Sequence, residues 1–342
     1  MTAAARARKY EPRRVPETKV ATSAMIASLA AEGYDTVAAP FGHALVEAAK
    51  DDPRIVGLTA DLAKYTDLHV FAQAYPDRFY QMGMAEQLLM SAAAGMAHEG
   101  FIPFATTYSV FASRRAYDFI CMAIAEENLP VKIVCGLPGL TTGYGPSHQA
   151  TEDLAIFRGL PNLIILDPCD ATDVAQMVPA MIAHDGPVYA RLLRGKVPSV
   201  ITRYRPDYRF ELGRAQMIRE GRDVLVISSG IMTMRALDAA ELLAKDGIDV
   251  AVLHCPTIKP LDTETILAEA GKGRLLVTAE NHSEVGGLGE AVARSLLRAG
   301  VTPSFRQIAL PDEFLEAGAL PTLHDLYGLS TAKVAQQIRG WL

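Results

Sequence analysis

The stretch that decides the fold begins at Gly83 and contains three motifs: GMAEQ (83–87), TTYSVFASRRAYD (106–118) and GLTTGYGPSHQATEDLA (139–155). In the first motif, Glu86 opens a run of small and apolar residues with helical spacing at Leu88, Leu89, Ala92 and Met96. This pattern predicts a buried helix with Glu86 in its first turn. The positive end of a helix dipole favours an acid there, so Glu86 alone does not indicate a functional site.

The two later motifs supply other chemically useful side chains. Tyr108 and Phe111 are an aromatic pair three residues apart, and two arginines follow them. A loop with four glycines from Gly136 to Gly145 then leads to His148. Core packing would explain the aromatic pair, and a loop histidine is usually a surface group. Together with Glu86, however, they bring a carboxylate, a flat aromatic surface and an imidazole into one stretch, which is typical of a site.

In this order the motifs resemble the pyrimidine-binding domain of transketolases, specifically the second subunit of split transketolases; deoxyxylulose-phosphate synthase is a close relative. The residues that carry the resemblance are GMAEQ, YSVF with RRAYD, and GPSHQATEDLAIFRGLPN. The similarity extends from about Val56 to near the C-terminus. It implies an α/β fold of two domains with mostly parallel sheets, a thiamine diphosphate-binding pyrimidine domain followed by a transketolase C-terminal-like domain.

Composition and an interruption of the hydrophobic pattern suggest where these domains lie. The 342 residues, half of them hydrophobic, suffice for two cores. Prolines and arginines interrupt the pattern over 198–210, so we expect domains at 21–200 and 211–342. Residues 1–20 carry six basic side chains against two acids, which predicts a flexible tail or an arm that wraps a partner subunit. A short helix is expected over 23–31.

The resemblance implies roles for individual residues. A glutamate at position 86 would hydrogen-bond a pyrimidine nitrogen of thiamine diphosphate, which activates the cofactor's own amino group as a base. The implied catalytic residues are Glu86 and His148; the implied cofactor contacts are Glu86, Tyr108, Phe111, Asp61 and Arg115; the implied substrate contacts are His148, Arg194 and Tyr144. The reaction implied is transfer of a two-carbon ketol unit from a ketose phosphate donor to an aldose acceptor.

Two of these residues have simpler interpretations. Asp61 follows the predicted strand 55–59, where parallel sheets place functional groups, but it would also serve as a cap of the next turn. Arg194 follows the predicted strand 188–193; it is either a surface arginine or, by resemblance, the group that grips a sugar phosphate, for which a guanidinium is well suited.

The chain contains no GDG followed by a downstream asparagine, the metal and diphosphate signature of this enzyme class. The resemblance therefore implies a partner, an N-terminal transketolase subunit that holds the diphosphate and a divalent metal, Mg or Ca, in an α2β2 heterotetramer. No metal ligand set is predicted within this chain. The small residues 92–95 on the helix that begins near Glu86 are expected to let another helix or subunit approach closely, which would make this helix a dimer element.

Other classes of function are disfavoured. The net charge is −6 and no basic stripe is interleaved with aromatics, which argues against nucleic acid as the partner. No apolar run approaches the roughly 20 residues of a membrane span. The four cysteines form no CxxC pair, so we expect neither a disulfide framework nor a zinc site, and a cytoplasmic location.

Three departures from the family pattern concern the sugar-facing surface. Gly136 stands where many transketolases have a histidine, Tyr144 where they have an acidic pair, and Ala38 with Ala39 where an arginine is expected. The donor and acceptor therefore stay open. Other functions also stay open: a deoxyxylulose-phosphate synthase-like condensation, a 2-oxoacid dehydrogenase β-type subunit, or a non-catalytic partner subunit.

Overall fold

A computed structural model describes residues 33–342. The basic tail expected at 1–20 and the helix expected at 23–31 lie outside the described residues. The described chain alternates strands and helices. The strands are β1 (Thr36–Ala38), β2 (Ile55–Thr59), β3 (Phe79–Gln81), β4 (Ile102–Tyr108), β5 (Lys132–Gly136), β6 (Ile164–Leu166), β7 (Val188–Leu192), β8 (Lys196–Pro198), β9 (Gln216–Arg219), β10 (Val224–Ser228), β11 (Val250–His254), β12 (Thr257–Lys259), β13 (Leu275–Ser283) and β14 (Phe305–Leu310).

Thirteen α-helices connect these strands within residues 33–342. They are α1 (Pro40–Ala48), α2 (His69–Ala74), α3 (Glu86–His98), α4 (Ser109–Arg115), α5 (Tyr117–Ile120), α6 (Asp153–Arg158), α7 (Ala171–Ala183), α8 (Ile201–Tyr204), α9 (Ile231–Ala244), α10 (Thr263–Ala270), α11 (Leu288–Arg298), α12 (Leu320–Leu326) and α13 (Thr331–Trp341). Short 3-10 helices add Ala63–Thr66 and Pro76–Arg78, and a π-helical turn continues α5 over Cys121–Ala125.

The first sheet has seven strands in the order β12-β6-β7-β5-β4-β2-β3. All neighbours are parallel except β12, which is antiparallel to β6. Strands β2, β4 and β5 are buried along their whole length, as expected for a parallel sheet that helices cover on both faces. Successive residues of β4 serve opposite faces: Phe104 packs in the core with α1 and α7, and Ala105 packs with α3.

The second sheet has the order β14-β13-β10-β11-β9, with only the edge strand β9 antiparallel. The expected two α/β units with mostly parallel strands are therefore confirmed. One exchange between them was not expected. Strand β12 follows β11 of the second sheet but pairs with β6 of the first, with Thr257 opposite Leu166 and Lys259 opposite Ile165.

Several local predictions can be compared with the structure. Glu86 begins α3, as the spacing predicts. Asp170 caps α7 by accepting a hydrogen bond from the amide of Asp173 at 3.0 Å, and Asp173 accepts from the Cys169 amide at 2.9 Å. Two of the four small residues of α3 allow a close approach within the chain, whereas Ala92 is half-buried and Gly95 is exposed. Ala93 and Ala94 are buried in the chain's own core, because this face of α3 covers the first sheet.

A buried ion-pair cluster joins the two units. Arg191 in β7 donates to both oxygens of Asp153, at 2.8 and 2.9 Å, and to Asp167 at 3.3 Å. From the second unit, the hydroxyl of Ser229 donates to Asp167 at 2.7 Å and the carbonyl oxygen of Asn281 accepts from Arg191 at 3.1 Å. Burial alone would raise the pKa of Asp153, but the Arg191 guanidinium overrides that effect and holds this pKa below its usual value.

No helix within residues 33–342 is long and apolar enough to cross a membrane. The four cysteines are free thiols, and three of them are buried.

Loss of one partner from the buried cluster should destabilise the fold strongly. Asp153→Ala leaves the Arg191 charge without its closest carboxylate in a site shielded from water, so we expect a loss of about 3 kcal/mol or more of unfolding free energy. Urea-induced unfolding followed by circular dichroism measures it. The matched control is Asp35→Ala, which removes an exposed ion pair with Arg203 and should change stability little. Equal midpoints for the two variants would contradict the structural role of the cluster.

Candidate cofactor and substrate site

The sheet itself brings the predicted site residues together. In the register of the first sheet, Tyr108 at the end of β4 lies beside Gly136 of β5, and Gly136 lies beside Leu192 of β7. The carboxyl ends of these parallel strands meet at one edge, where α/β proteins place their ligands. The segments that follow them carry Phe111, His148 and Arg194. One edge of one sheet therefore organises three separate parts of the sequence.

Glu86 is the acid of this edge. It is buried, at 2% exposure, although it stands at the start of a helix where acids usually face water. The guanidinium of Arg115 donates to its two carboxylate oxygens at 3.2 and 3.3 Å. The same guanidinium lies over the face of the Phe111 ring, 3.8 Å from the ring centre. Glu86 and Phe111 thus form a cradle that holds a flat, hydrogen-bond-donating group.

Aromatic rings surround His148 next to this cradle. The His148 ring makes edge contacts with Phe111 and Tyr144, both at 5.4 Å between ring centres, and with Tyr108 at 6.3 Å. Its Nδ1 lies 2.9 Å from the hydroxyl oxygen of Ser147. Burial, and then the charge of Arg115, lower the pKa of His148. This shift favours the neutral imidazole, and its Nε2 makes no hydrogen bond with the residues that the structure describes.

Arg194 lies at the same edge and is not a surface residue. The residue is 8% exposed, and its Nε and Nη2 are buried without a hydrogen-bond partner among residues 33–342. Nearby, Tyr65 lies 5.6 Å from the guanidinium, and Gly136 leaves the space that the arginine crosses. A buried guanidinium with two free donors is costly unless a ligand supplies acceptors. Burial lowers the pKa of Arg194, and the charge of Asp67 acts in the opposite direction.

Asp67 was not singled out from the sequence. Its carboxylate accepts two hydrogen bonds from the amide of Gly195, at 3.0 and 3.1 Å, and so fixes the turn directly after Arg194. Burial raises the pKa of Asp67 to about 6. A lone aspartate between two short helices carries no spacing signal, so sequence reasoning had no basis for choosing it.

Arg114 holds the loop that carries His148. Its guanidinium donates to the carbonyl oxygens of Pro146 at 2.8 Å and Gln149 at 3.3 Å, and it forms an ion pair with Glu152. These bonds fasten both sides of His148 to α4. The pair of arginines in RRAYD was the sequence feature that could have indicated this role. Arg114 contacts the loop, and Arg115 contacts Glu86.

The second unit supports the same loop from behind. Asn281 accepts a hydrogen bond from the amide of Leu140 at 2.9 Å, and His324 donates to the Leu140 carbonyl oxygen at 2.7 Å. Gly139 has a φ of +58°, and a Cβ there would lie 2.0 Å from the Asn281 carbonyl oxygen. Glycine is therefore required at this approach.

Asp61 does not join the ring cluster. Its amide donates to the side-chain oxygen of Gln81 at 2.7 Å, and its carboxylate accepts from the same side chain at 3.1 Å. No hydrogen bond, ion pair or ring contact links it to Glu86, Phe111 or His148 within the part of the chain that the structure describes. The next 3-10 helix starts without a side-chain cap, so the simpler interpretation of Asp61 as a turn cap is not observed either.

Sequence models of two families match the chain. "Transketolase, pyrimidine binding domain" matches residues 35–199, and "Transketolase, C-terminal domain" matches residues 213–334. A transketolase family protein of Sinorhizobium fredii is 69% identical over 326 residues, which cover 95% of this chain and 94% of that protein. The 6-deoxy-6-sulfo-D-fructose transketolase subunit of a Clostridium species is 40% identical over 293 residues, covering 85% and 90%.

A solved structure described as a split gene transketolase, inactive beta4 tetramer, superposes with a TM-score of 0.80 at 41% identity, covering 88% of this chain and 96% of that chain. The 1-deoxy-D-xylulose-5-phosphate synthase of Syntrophotalea carbinolica is 34% identical over 304 residues. This chain spans about half of that enzyme, 47% of its length.

The contacts of Arg114 can be tested without a cofactor. Arg114→Ala removes two hydrogen bonds and an ion pair that hold the loop around His148, so we expect the amides of residues 145–149 to exchange hydrogen at least about ten-fold faster, equivalent to ~1.4 kcal/mol of opening free energy. Hydrogen–deuterium exchange with mass spectrometry measures this rate. Arg203→Ala, which removes an arginine from an exposed ion pair, is the control. Unchanged amide hydrogen exchange in Arg114→Ala would contradict the role of Arg114 in positioning the loop of His148.

Proposed function

The chain belongs to the transketolase family, and we propose that it is the pyrimidine-domain subunit of a thiamine diphosphate-dependent transketolase. In this proposal it transfers a two-carbon ketol unit from a ketose phosphate donor to an aldose acceptor and is active only with a partner subunit. The observation that carries the proposal is the burial of Glu86 beside Phe111 and His148. A desolvated acid needs a partner that offsets its charge, and a group that lies flat on Phe111 while it donates to Glu86 meets that need, as the guanidinium of Arg115 does in this structure.

Glu86 and Phe111 fit the aminopyrimidine ring of the cofactor. Arg115 now occupies their cradle as a flat cation that stacks on Phe111 and donates to Glu86. A protonated ring nitrogen offers the same two features, a flat face and a donor to the carboxylate, with a charge-assisted hydrogen bond. Arg115 is about half exposed, so it has room to turn towards solvent. Tyr108 would form the neighbouring wall of the cradle.

When bound, thiamine diphosphate supplies the nucleophilic carbon that attacks a ketose carbonyl. Side chains of this chain would bind the cofactor ring and transfer protons at this edge. Glu86 would hold the proton of the ring nitrogen and so favour the tautomer that acts as a base. His148, whose Nδ1 lies beside the Ser147 hydroxyl, would use Nε2 to hydrogen-bond a donor oxygen or relay its proton.

Arg194 would bind the anionic end of the substrate. Its Nε and Nη2 form a buried edge of two free donors, which matches two oxygens of a phosphate. Gly136 leaves the floor of this pocket open, and Tyr144, 52% exposed, would stand at its entrance beside His148. The Clostridium relative is named for a sulfonated sugar. A sulfonate offers oxygens to a guanidinium in the same way, so the pocket chemistry suits either anion.

A second polypeptide would complete the enzyme. We assign the diphosphate and its divalent metal, Mg or Ca, to an N-terminal transketolase subunit in an α2β2 assembly. The solved split transketolase, described as inactive in its beta4 form, supports a need for another subunit. An exposed apolar face around α3 and α5 offers a contact surface: Met84 is 80%, Leu88 52%, Phe119 40% and Met122 53% exposed. The free thiols fit the proposed cytoplasmic location.

Glu86→Gln keeps the shape and the hydrogen-bonding capacity of the side chain but removes its charge. We expect ketol transfer by the reconstituted pair of subunits to fall about 10²-fold or more, because the carboxylate no longer stabilises a protonated ring nitrogen. Steady-state turnover with a ketose phosphate and an aldose measures the effect. Glu99→Gln, at the exposed C-terminal end of the same helix, is the matched control and should leave turnover unchanged.

Other outcomes of this assay would favour other functions. Unchanged turnover in Glu86→Gln would favour a non-catalytic partner subunit. Product formed from pyruvate and an aldehyde, with no ketol transfer, would favour the deoxyxylulose-phosphate synthase-like condensation that relatives of that name suggest. Full activity of this chain without a partner would contradict the two-subunit arrangement.

Arg194→Gln should weaken binding of charged donors specifically. Loss of the guanidinium should raise KM for a ketose phosphate about 10- to 100-fold, since a hydrogen bond to a charged group contributes ~1.5–3 kcal/mol. Comparison of KM for the phosphorylated and unphosphorylated ketose separates charge recognition from misfolding, because the KM for the uncharged sugar should stay the same. If the KM values for the phosphorylated and the unphosphorylated ketose rise equally, Arg194 does not recognise the anion. Arg203→Gln serves as the surface control.

A further inference from the structure

A cavity of about 500 Å³ lies at the junction of the two units and shares no lining residue with the site described above. Its walls are the end of α6 at Arg158, the exchanged strand β12 at Lys259, and the helices α10 and α11. Cavities of this volume are in the range of small-molecule sites in proteins.

The cavity is positively charged in an acidic protein. Arg158, Lys259, Arg294 and Arg298 line it, and its lining includes no aspartate or glutamate. Arg294 and Arg298 stand one turn apart on α11, so they project from the same side of the helix. Neither is within ion-pair distance of a carboxylate in residues 33–342. Arg158 and Lys259 also form no direct ion pair among the described residues, so four cations converge on one space.

The two deeper cations donate hydrogen bonds to backbone carbonyl oxygens, and the charges of Glu280 and Glu290 act on Arg158 through space without a direct ion pair. Arg158 donates to the carbonyl oxygens of Gly286 and Gly287, the latter at 2.8 Å, and Lys259 donates to the carbonyl oxygens of Arg158 and Leu160. Burial, and then the charge of Arg158, lower the pKa of Lys259. Carbonyl oxygens fix these side chains but do not neutralise them. An anion in the cavity would relieve their mutual repulsion.

The rest of the lining is apolar or weakly polar. Ile258, Leu261 and Leu267 form an apolar wall, and Thr263 and Ser295 add hydroxyl groups. We propose that this cavity binds a phosphate-bearing small molecule of nucleotide size, with its phosphates on the four cations and its ring on the apolar wall. Arginine is well suited to bidentate phosphate binding.

Occupation of the cavity would connect the ligand to the active edge. Arg158 is the last residue of α6, and Asp153, the first residue, pairs with Arg191. The same helix directly follows the loop of His148. A ligand bound between α6 and α11 would therefore hold the second unit against the helix on which that loop depends.

Isothermal titration of the full-length chain with ATP, at about 150 mM salt to screen non-specific attraction, tests the proposal. We expect one saturable site, weakened at least about ten-fold by Arg294→Gln with Arg298→Gln. Both arginines are exposed, so the fold should tolerate the change; equal melting temperatures check this, and Arg298→Gln alone is the milder variant. Arg222→Gln with Arg306→Gln, exposed arginines outside the cavity, make the same change in net charge and should leave binding unchanged.

Two further titrations test which ligand binds and where its site lies. ATP binding that persists in Arg194→Gln excludes the substrate pocket, whereas its loss there would overturn the proposal. Inorganic pyrophosphate should bind more weakly than ATP, because it makes no contact with the apolar wall. Binding of pyrophosphate as tightly as ATP, binding unaffected by the α11 variant, or no binding of ATP at millimolar concentration would each overturn it.

Discussion

The ion pair of Arg191 with Asp153 is the constraint on which the arrangement of this protein depends. Both side chains are withdrawn from water, at 1% and 0% exposure. A buried charge is tolerated only when its partners satisfy it in good geometry, and here two carboxylates and a backbone carbonyl oxygen do so. Because Asp153 begins α6 and Arg191 lies in β7, this pair fixes the loop of His148 relative to the strand that leads to Arg194.

Two buried arginines three residues apart, Arg191 and Arg194, differ in how many hydrogen bonds their guanidinium groups form. Arg191 has a partner for each side of its guanidinium, and these bonds join two units of the fold. Arg194 is nearly as buried, yet its Nε and Nη2 have no hydrogen-bond partner in the part of the chain that the structure describes. The difference follows from their positions: Arg191 lies inside the strand, among acids from both units, and Arg194 lies beyond its end, where the sheet edge opens. The fold thus satisfies one guanidinium and keeps the other available.

Much of the framework could be predicted from the sequence, because buried parallel strands and the helix of Glu86 have strong local patterns. The proximity of Phe111 and His148 also followed, since each comes soon after the end of a strand in the same sheet. Contacts between distant side chains could not be predicted in this way. Nothing in the spacing of RRAYD tells which arginine turns to Glu86, and the alanines of α3 look the same whether they face a neighbouring subunit or their own sheet.

The pairing of strand β12 with the first sheet could not be predicted from the sequence either. It affects the architecture because it links the two units. Three residues are too few to show a period, and the pairing of Thr257 with Leu166 crosses the expected border between units. Yet this strand covers the edge of β6, and it places Lys259 beside Arg158 at the end of α6. Together with the Arg191 cluster and the contacts of Asn281 and His324 with Leu140, it attaches the first unit to the second at several separate points. A hinge motion between the units would have to break these contacts, which lie beside the edge that carries His148 and Arg194.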